Sequence, residues 1–495
     1  MARRRVLAVG SREEAIEMLE GGDPGRLFTH TAPDGDVSVV FMFSGAASHY
    51  PAMAVGLYET QPVFREELDR GIDLATRRTG FDFRSLLLPA PEERDRAAEE
   101  MARTSRQLPA IFIVEHALAR LWMSWGVQPD LMIGHSMGEN TAACLAGVLS
   151  LEDAIGLLAL RGELTERAEE GAMLSVALSE GGLEPLLEGE CDLASVNAPE
   201  LCVASGSVGA IEALEKRLDE REIEYRRVPI SRAGHSRLFD PILDEFRSFL
   251  QTLDLRAPEI PFVSNRTGRI ITPEQATDPE YWVEHLRRTV RFADGLDTVL
   301  QTPGRLLIEV GPSQSLCAFA RQHPAARQGA NIIPSLRHRD DSISDAAFFL
   351  SGLGRAWASG LAIDLSRLRE GETRRRVPLP PYAWSHQPYF IEPTEQVARA
   401  SDEDRLERIE DLAEWGRRPV WLPAAIEERS ATEEQIWLLF MDDAGLGRRL
   451  KKILQAQRQP VISVFEGDAF YKRSDEEYTL APELGRAGYD ALLQD

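Results

Sequence analysis

PDLMIGHSMGENTAACLAGVLS, residues 129–150, is the stretch whose reading decides the fold. Apolar Leu131-Met132-Ile133 predicts a strand, Gly134-His135-Ser136-Met137-Gly138 fits G-x-S-x-G, and the small residues after it predict a helix. Strand, sharp turn and helix in that order form a nucleophile elbow, in which strain turns the serine outward and flanking glycines permit close packing. The helix behind Ser136 offers backbone N–H groups and a positive dipole end, both suited to an oxyanion. Two glycines and a serine also occur by chance, so the pentapeptide gains its weight from the strand–turn–helix setting.

A hydroxyl needs a base, and the chain has nine histidines. His135 adjoins the serine, but neighbours on an elbow point apart, which predicts a packing role. His235, in SRAGHS, follows the last strand of an inserted segment, where the returning chain would cross the mouth of the larger domain. His285, in YWVEHLRR, reads as surface or core filler, and His49 stays open. These residues alone do not single out a partner for Ser136.

Outward from the elbow, VSVVFMF (37–43) predicts a buried strand ended by Ser44-Gly45. From there to about residue 330 the alternation of strands and helices predicts an α/β domain. Within it, about 173–232, the order β-α-β-β-α-β predicts a ferredoxin-like insert. Residues 1–36 read as a connector with one short helix, Ser11–Glu20. A helix is expected in ISDAAFFLSGLGRAWASG. After it come a solvated basic run (373–376), an extended proline- and aromatic-rich stretch (377–390) and an acidic stretch (401–415). QIWLLFMDDAGLGRRLKKILQ and PVISVFEG predict strand, loop, helix, strand. Asp443-Ala444-Gly445-Leu446-Gly447 lacks the third glycine of a dinucleotide fingerprint.

At 495 residues the chain predicts two to four units, and 43% hydrophobic content allows a sizeable core. A net charge of −24, spread along the chain, excludes nucleic acid and anionic membrane surfaces as expected partners, though not coenzyme A in a local basic pocket. Cys144, Cys191, Cys202 and Cys317 lack metal-like spacing and read as reduced core thiols. Without an apolar signal region or a run of ~20 apolar residues, a soluble cytoplasmic protein is expected.

Taken together, FSGAASHYPAMAVGLYETQPVF, QLPAIFIVEHALARLW, GHSMGE, LLALRGEL, ASVNAPELCVASG, AGHS, YWVEHLRRTVRF and IEVGPSQSL resemble, in order, the acyltransferase domains of modular polyketide synthases. Those domains are related to the malonyl-CoA:carrier-protein transacylases of fatty acid synthesis. The resemblance implies an α/β-hydrolase-like body (37–330) with a ferredoxin-like insert. It implies Ser136 as acylated nucleophile, His235 as base, Arg161 as holder of the extender carboxylate, and the N–H groups of Ala46 and Met137 as oxyanion hole. Asn197 and His135 would support the dyad. The domain would bind no cofactor of its own and would move a malonyl-type unit from coenzyme A to the phosphopantetheine thiol of an acyl carrier protein.

Two departures stand out. The family loop usually reads GQGSQ, and here it is Gly45-Ala46-Ala47-Ser48-His49, with alanine at the second glycine. Arg232-Ala233-Gly234-His235 replaces HAFH or YASH, so Gly234 would widen the acyl pocket while Arg232 adds charge. These departures motivate one alternative, a degenerate domain kept as scaffold or docking surface. A second is a hydrolase of mis-loaded acyl groups, since G-x-S-x-G also serves lipases and thioesterases. Arg161 weighs against the hydrolase, and Met137 after the serine leans towards malonyl. The flanks resemble the end of a ketosynthase–acyltransferase linker (1–36), a post-acyltransferase helix and wrap-around linker (331–410) and the opening of a partial, Rossmann-like ketoreductase structural subdomain (411–495). A piece of a larger polypeptide with ketosynthase and carrier neighbours, or a truncated protein, is expected.

Overall fold

The computed structural model describes residues 3–21, 27–369 and 436–495, with 378 and 411, apart from positions 34, 54, 327–330, 340, 342, 443, 468 and 483–485. Apart from 378 and 411, the expected stretches at 373–376, 377–390 and 401–415 lie outside the described residues. The chain divides into two compact units, Met1–Arg367 with Phe465–Arg473 and Tyr478–Asp495, and Leu368–Val464 with Ser474–Glu477.

The strands in chain order are β1 (Arg3–Val6), β2 (Phe28–Thr31), β3 (Val39–Phe43), β4 (Leu131–Gly134), β5 (Ala172–Val176), β6 (Asp192–Ala198), β7 (Leu201–Gly206), β8 (Tyr225–Arg227), β9 (Phe262–Val263), β10 (Leu306–Glu309) and β11 (Asn331–Pro334) in the first unit. Then come β12 (Trp437–Phe440) and β13 (Val461–Glu466). The body is a five-stranded parallel sheet in the order β11-β10-β3-β4-β9.

Its central strand shows why the sequence folds this way. Every residue of Val39–Phe43 is buried. Val39, Phe41 and Phe43 enter one apolar layer, with residues of helices Pro62–Thr79, Thr104–Ser124 and Leu151–Arg167. Val40 and Met42 enter the opposite layer, with residues of helices Phe292–Leu300 and Ser315–Gln322. An all-parallel sheet needs cover on both faces, and a continuous apolar run supplies it where alternation would not.

Residues 172–227 form a second layer that runs strand, helix, strand, strand, helix, strand, the predicted order. Its antiparallel sheet has the order β6-β7-β5-β8 around its own core of Leu174, Leu183, Cys202, Ile211 and Leu214. The outer strand β6 is joined to the body through Val290, whose N–H donates to Ala194 O and whose carbonyl accepts from Val196 N–H, both at 2.9 Å.

At the N-terminus the predicted helix is Arg12–Leu19, capped by Ser11 Oγ, which accepts the Glu14 N–H at 3.1 Å. The antiparallel pair β1–β2 around it is not expected from the sequence, because RRRV and FTHT carry no apolar alternation to announce a strand. In the second unit β12 pairs in parallel with Val461–Val464 of β13, and the order strand, helix Leu446–Ala456, strand is the one the sequence predicts. The strands that follow, Tyr471–Ser474 and Glu477–Leu480, are additions to that prediction. All four cysteines are free and buried. Among the described residues no helix is long and apolar enough to cross a membrane.

Close approach of β3 to the helix after Ser136 depends on Gly138, where a Cβ would lie 2.2 Å from Phe43 O and 2.7 Å from Ser44 O. Gly138→Ala is expected to destabilise the protein by at least about 2 kcal/mol. Gly234→Ala, whose Cβ would meet nothing nearer than Met173 Sδ at 3.9 Å, should stay within about 0.5 kcal/mol of the parent. Denaturant midpoints of the two variants check the contrast.

Candidate active site

Strand β4 ends at Gly134 and helix Gly138–Leu145 follows, so the chain reverses within His135–Met137. Ser136 takes a left-handed backbone, φ 51°, the strained conformation expected of an elbow. The His135 N–H donates to Phe43 O at 2.9 Å, tying the turn to β3. The Ser136 N–H donates to Asn265 Oδ1 at 2.7 Å, and Asn265 Nδ2 donates to Gly134 O at 2.7 Å. Sequence reasoning misses Asn265. In SNRTG it looks like an ordinary turn former, and only its position at the end of apolar β9 hints at more.

The structure selects among the histidines. Ser136 Oγ lies 2.7 Å from His235 Nε2, and His235 Nδ1 lies 2.9 Å from Arg288 O. A carbonyl only accepts, so Nδ1 carries the proton and Nε2 presents its lone pair to the serine hydroxyl. Burial, helped by the nearby Arg161 guanidinium, holds His235 well below the ordinary histidine range, so the ring is neutral near neutral pH. His235 also has a positive φ, 56°. His285 is core rather than surface: its ring stands 6.4 Å from that of His235, and its Nε2 lies 3.4 Å from Glu139 Oε2. His135 packs beside Phe292 at 5.4 Å, as expected, and its Nε2–H donates to Asn197 Oδ1 at 2.8 Å. Asn197 thus bonds to His135, the neighbour of Ser136, and lines the same cavity as Ser136 and His235. His49 does not line the cavity around Ser136.

Arg161 comes from helix Leu151–Arg167 and is 6% exposed. Its Nη2 donates to Ser136 Oγ at 2.8 Å and its Nη1 to Asn140 Oδ1 at 3.0 Å. Burial pushes the guanidinium down to about 10 and the Glu139 carboxylate works the other way, so Arg161 stays charged at neutral pH. Glu139 is fully buried and accepts hydrogen bonds from Asn265 N–H at 2.6 Å and from the Tyr281 hydroxyl.

Met137 is buried and caps the helix after the serine, while Ala46 lies in the loop that lines the cavity beside it. In that loop Ala47, at the place of the lost glycine, adopts φ 67°, and its N–H donates to Gln107 Oε1 at 3.2 Å. Ser44 Oγ donates to Glu115 Oε1 at 2.7 Å, and Thr141 Oγ1 donates to Glu115 Oε2 at 2.7 Å. This carboxyl, pushed up to about 8 by burial, joins the loop to the helix after Ser136.

The cavity at Ser136 has a volume of about 320 Å³ and lies between the body and the 172–227 layer. That is within the range of small-molecule sites, roughly 300–1,000 Å³. Arg232 and Gly234 line it, whereas Ala233 is buried beside it. The Arg232 head is held by the carbonyls of Ser231 and Glu166, both at 3.1 Å, with Glu170 Oε1 at 3.5 Å. Gly234 leaves open space, its nearest would-be neighbours being Met173 Sδ and Phe239 at 3.9 and 4.0 Å.

Comparison with known proteins places these features in a family. Residues 40–362 match the model of the "Acyl transferase domain". The chain is 36% identical over 415 residues to a phenolphthiocerol/phthiocerol polyketide synthase of Mycobacterium tuberculosis, covering 80% of this chain but 27% of that protein. It thus spans about a quarter of that relative's length. The acyltransferase domain of ZmaA superposes with a TM-score of 0.72 at 37% identity, over 77% of this chain and 88% of that one. The malonyl-CoA:acyl carrier protein transacylase of Xanthomonas oryzae superposes at 0.54 and 26% identity, over 60% and 94%. The chain belongs to the acyl transferase domain family, and its relatives are polyketide synthases.

Proposed function

We propose that this chain carries an acyltransferase that moves a malonyl-type extender from coenzyme A to an acyl carrier protein by a ping-pong route through Ser136. The observation that carries the proposal is that one oxygen, Ser136 Oγ, has His235 Nε2 at 2.7 Å and Arg161 Nη2 at 2.8 Å. The serine hydroxyl has an acceptor for its proton and, beside it, a permanent cation.

In the first half, Ser136 Oγ attacks the thioester carbonyl as His235 Nε2 takes its proton. The tetrahedral oxyanion is received by the N–H groups of Met137 and Ala46. Collapse breaks the carbon–sulfur bond, and the imidazolium returns the proton to the departing coenzyme A thiolate. In the second half, neutral His235 deprotonates the phosphopantetheine thiol of the carrier, which attacks the seryl ester. Collapse breaks the carbon–oxygen bond, the imidazolium returns the proton to Ser136 Oγ, and the acyl group leaves as the carrier thioester. The Arg288 carbonyl keeps the His235 tautomer constant and disperses the imidazolium charge that forms twice per cycle. The free carboxylate of a malonyl group on Ser136 lies two carbons from the ester carbonyl, so a guanidinium that touches Oγ is within its reach. Paired as a fork with that carboxylate, Arg161 selects dicarboxylic over simple acyl groups.

The body is read as an α/β-hydrolase-like subdomain (37–330) with a ferredoxin-like insert, and residues 411–495 as the start of a Rossmann-like ketoreductase subdomain. A ketosynthase and a carrier protein in the same synthase are the expected partners, in keeping with the polyketide synthase relatives. Against the scaffold alternative, the altered loops leave Ser136 and His235 in hydrogen-bond contact.

Intact mass after mixing with malonyl-, methylmalonyl- and acetyl-CoA tests this directly. A malonyl-sized gain is expected, abolished in Ser136→Ala and at least about 30-fold slower in Arg161→Ala. No adduct from any thioester would sink the proposal. Gly234→Phe, which fills the open space, should slow methylmalonyl loading at least about 10-fold more than malonyl loading, as competing rates would report. Because His235 is held well below 6.5, it is already unprotonated above that value. The acylation rate should therefore stay level from about pH 8 to pH 6.5 and fall only on further acidification, which a pH–rate profile checks.

A further inference from the structure

We infer that Asn265 is the positioning residue that holds Ser136 and His235 in mutual register, an inference that rests on the serine–histidine reading above. Four groups of Asn265 are engaged, although the residue is only 2% exposed. Its side-chain amide spans the elbow, with Oδ1 accepting the Ser136 N–H and Nδ2 donating to Gly134 O, both at 2.7 Å. Its backbone N–H donates to Glu139 Oε2 at 2.6 Å. Its carbonyl accepts the Arg291 N–H, also at 2.6 Å.

The first pair of bonds acts on the nucleophile. The Ser136 amide precedes helix Gly138–Leu145 and belongs to the turn, where backbone donors lack intrahelical acceptors. One planar side chain supplies that acceptor and also fixes the carbonyl two residues earlier. Both bonds hold the backbone on the N-terminal side of Ser136, leading into its left-handed φ of 51°. The bond to Arg291 acts on the base. Arg291 closes the short segment 288–291, which begins with the Arg288 carbonyl that accepts His235 Nδ1–H at 2.9 Å. The middle of that segment, Val290, is hydrogen-bonded to β6. A single residue at the end of β9 thus fixes the backbone of one partner and the tether that orients the other. Its removal leaves the Ser136 N–H and the Gly134 carbonyl unpaired in the core and frees the elbow to relax. Misplacement by ~1 Å costs ~100-fold in rate.

The test compares the whole chain with Asn265→Ala and Asn265→Asp in two readouts. One is the rate of malonylation by intact mass across malonyl-CoA concentrations. The other is the rate of Ser136 labelling by a fluorophosphonate, which reads the nucleophile whatever the natural substrate. Asn265→Ala is expected to lower the maximal malonylation rate about 100-fold. Half-saturation should stay within about 3-fold, since Arg161 and the cavity are untouched, and labelling should slow in parallel.

Asn265→Asp supplies a signature that a merely structural role would not. A protonated carboxyl can reproduce both elbow bonds, O–H to Gly134 O and C=O from Ser136 N–H, whereas a carboxylate sets an acceptor against that carbonyl. The charged and titratable groups around the position are Glu139, Tyr281, His285, Arg291, Arg161 and His235, and the Glu139 anion favours the protonated acid. The rate of Asn265→Asp relative to the parent should be at least about 10-fold higher near pH 5.5 than near pH 8. Three outcomes overturn the inference: an Asn265→Ala rate within about 3-fold of the parent, a loss confined to half-saturation, or a pH-independent Asn265→Asp ratio. Should Asn265→Ala fail to fold, the near-isosteric Asn265→Asp decides. A parent chain that takes the phosphonate but no malonyl group refutes the substrate assignment alone, and the labelling rates then decide on Asn265 by the same criteria.

Discussion

The arrangement at the cavity depends on a backbone constraint: Ser136 and His235 both sit at positive φ, 51° and 56°. Each such residue costs roughly 1–3 kcal/mol and persists only where its surroundings over-determine it. For Ser136 the surroundings are the parallel sheet, with Phe43 O fixing His135, and the helix brought close by Gly138. For His235 they are the exit of the 172–227 layer and the 288–291 segment, which is hydrogen-bonded to that layer through Val290. The serine-bearing and histidine-bearing turns are distant in sequence, so their 2.7 Å contact is a product of the fold.

Electrostatics follows from the same burial. Desolvation depresses both His235 and Arg161, yet from ordinary values so far apart that the imidazole is neutral while the guanidinium, near 10, remains charged. That separation suits the base and carboxylate holder proposed for this site, and it is the usual signature of paired groups given different tasks. The two groups also influence each other. Arg161 disfavours protonation of His235, so a carboxylate that neutralises Arg161 makes His235 a stronger base. Glu139 keeps the cation tolerable in the interior, and it is held in turn by Asn265 and Tyr281.

Much of this is legible in the sequence, and the illegible part has a common cause. The elbow can be read because its signals are local: apolar LMI, two glycines at fixed spacing and a run of small helix residues. The order of elements in 172–227 is legible for the same reason. The partner of Ser136 is not, since nine histidines satisfy the chemistry and the position of His235 after the insert does not single it out without the resemblance. Asn265 stays hidden because a polar residue at a strand end carries no mark of what it will reach 129 residues away. The pair β1–β2 escapes likewise: two short polar segments become strands only by finding each other.

The two departures from the family pattern have different physical weight. At position 47 the backbone needs φ 67°, so alanine in place of glycine costs about 1–2 kcal/mol of strain. Alanine also narrows the unfolded ensemble by about 0.4–1 kcal/mol relative to glycine, which offsets part of that cost. Gln107 and Glu115 anchor the loop in that conformation. At position 234 the case is reversed. The backbone there has no need of glycine, and a Cβ would fit 3.9 Å from Met173 Sδ. The missing side chain leaves space in a cavity of about 320 Å³ beside the acyl-bearing oxygen proposed for Ser136. The loop departure is therefore weak evidence of degeneration, and the Gly234 departure bears on which acyl group fits.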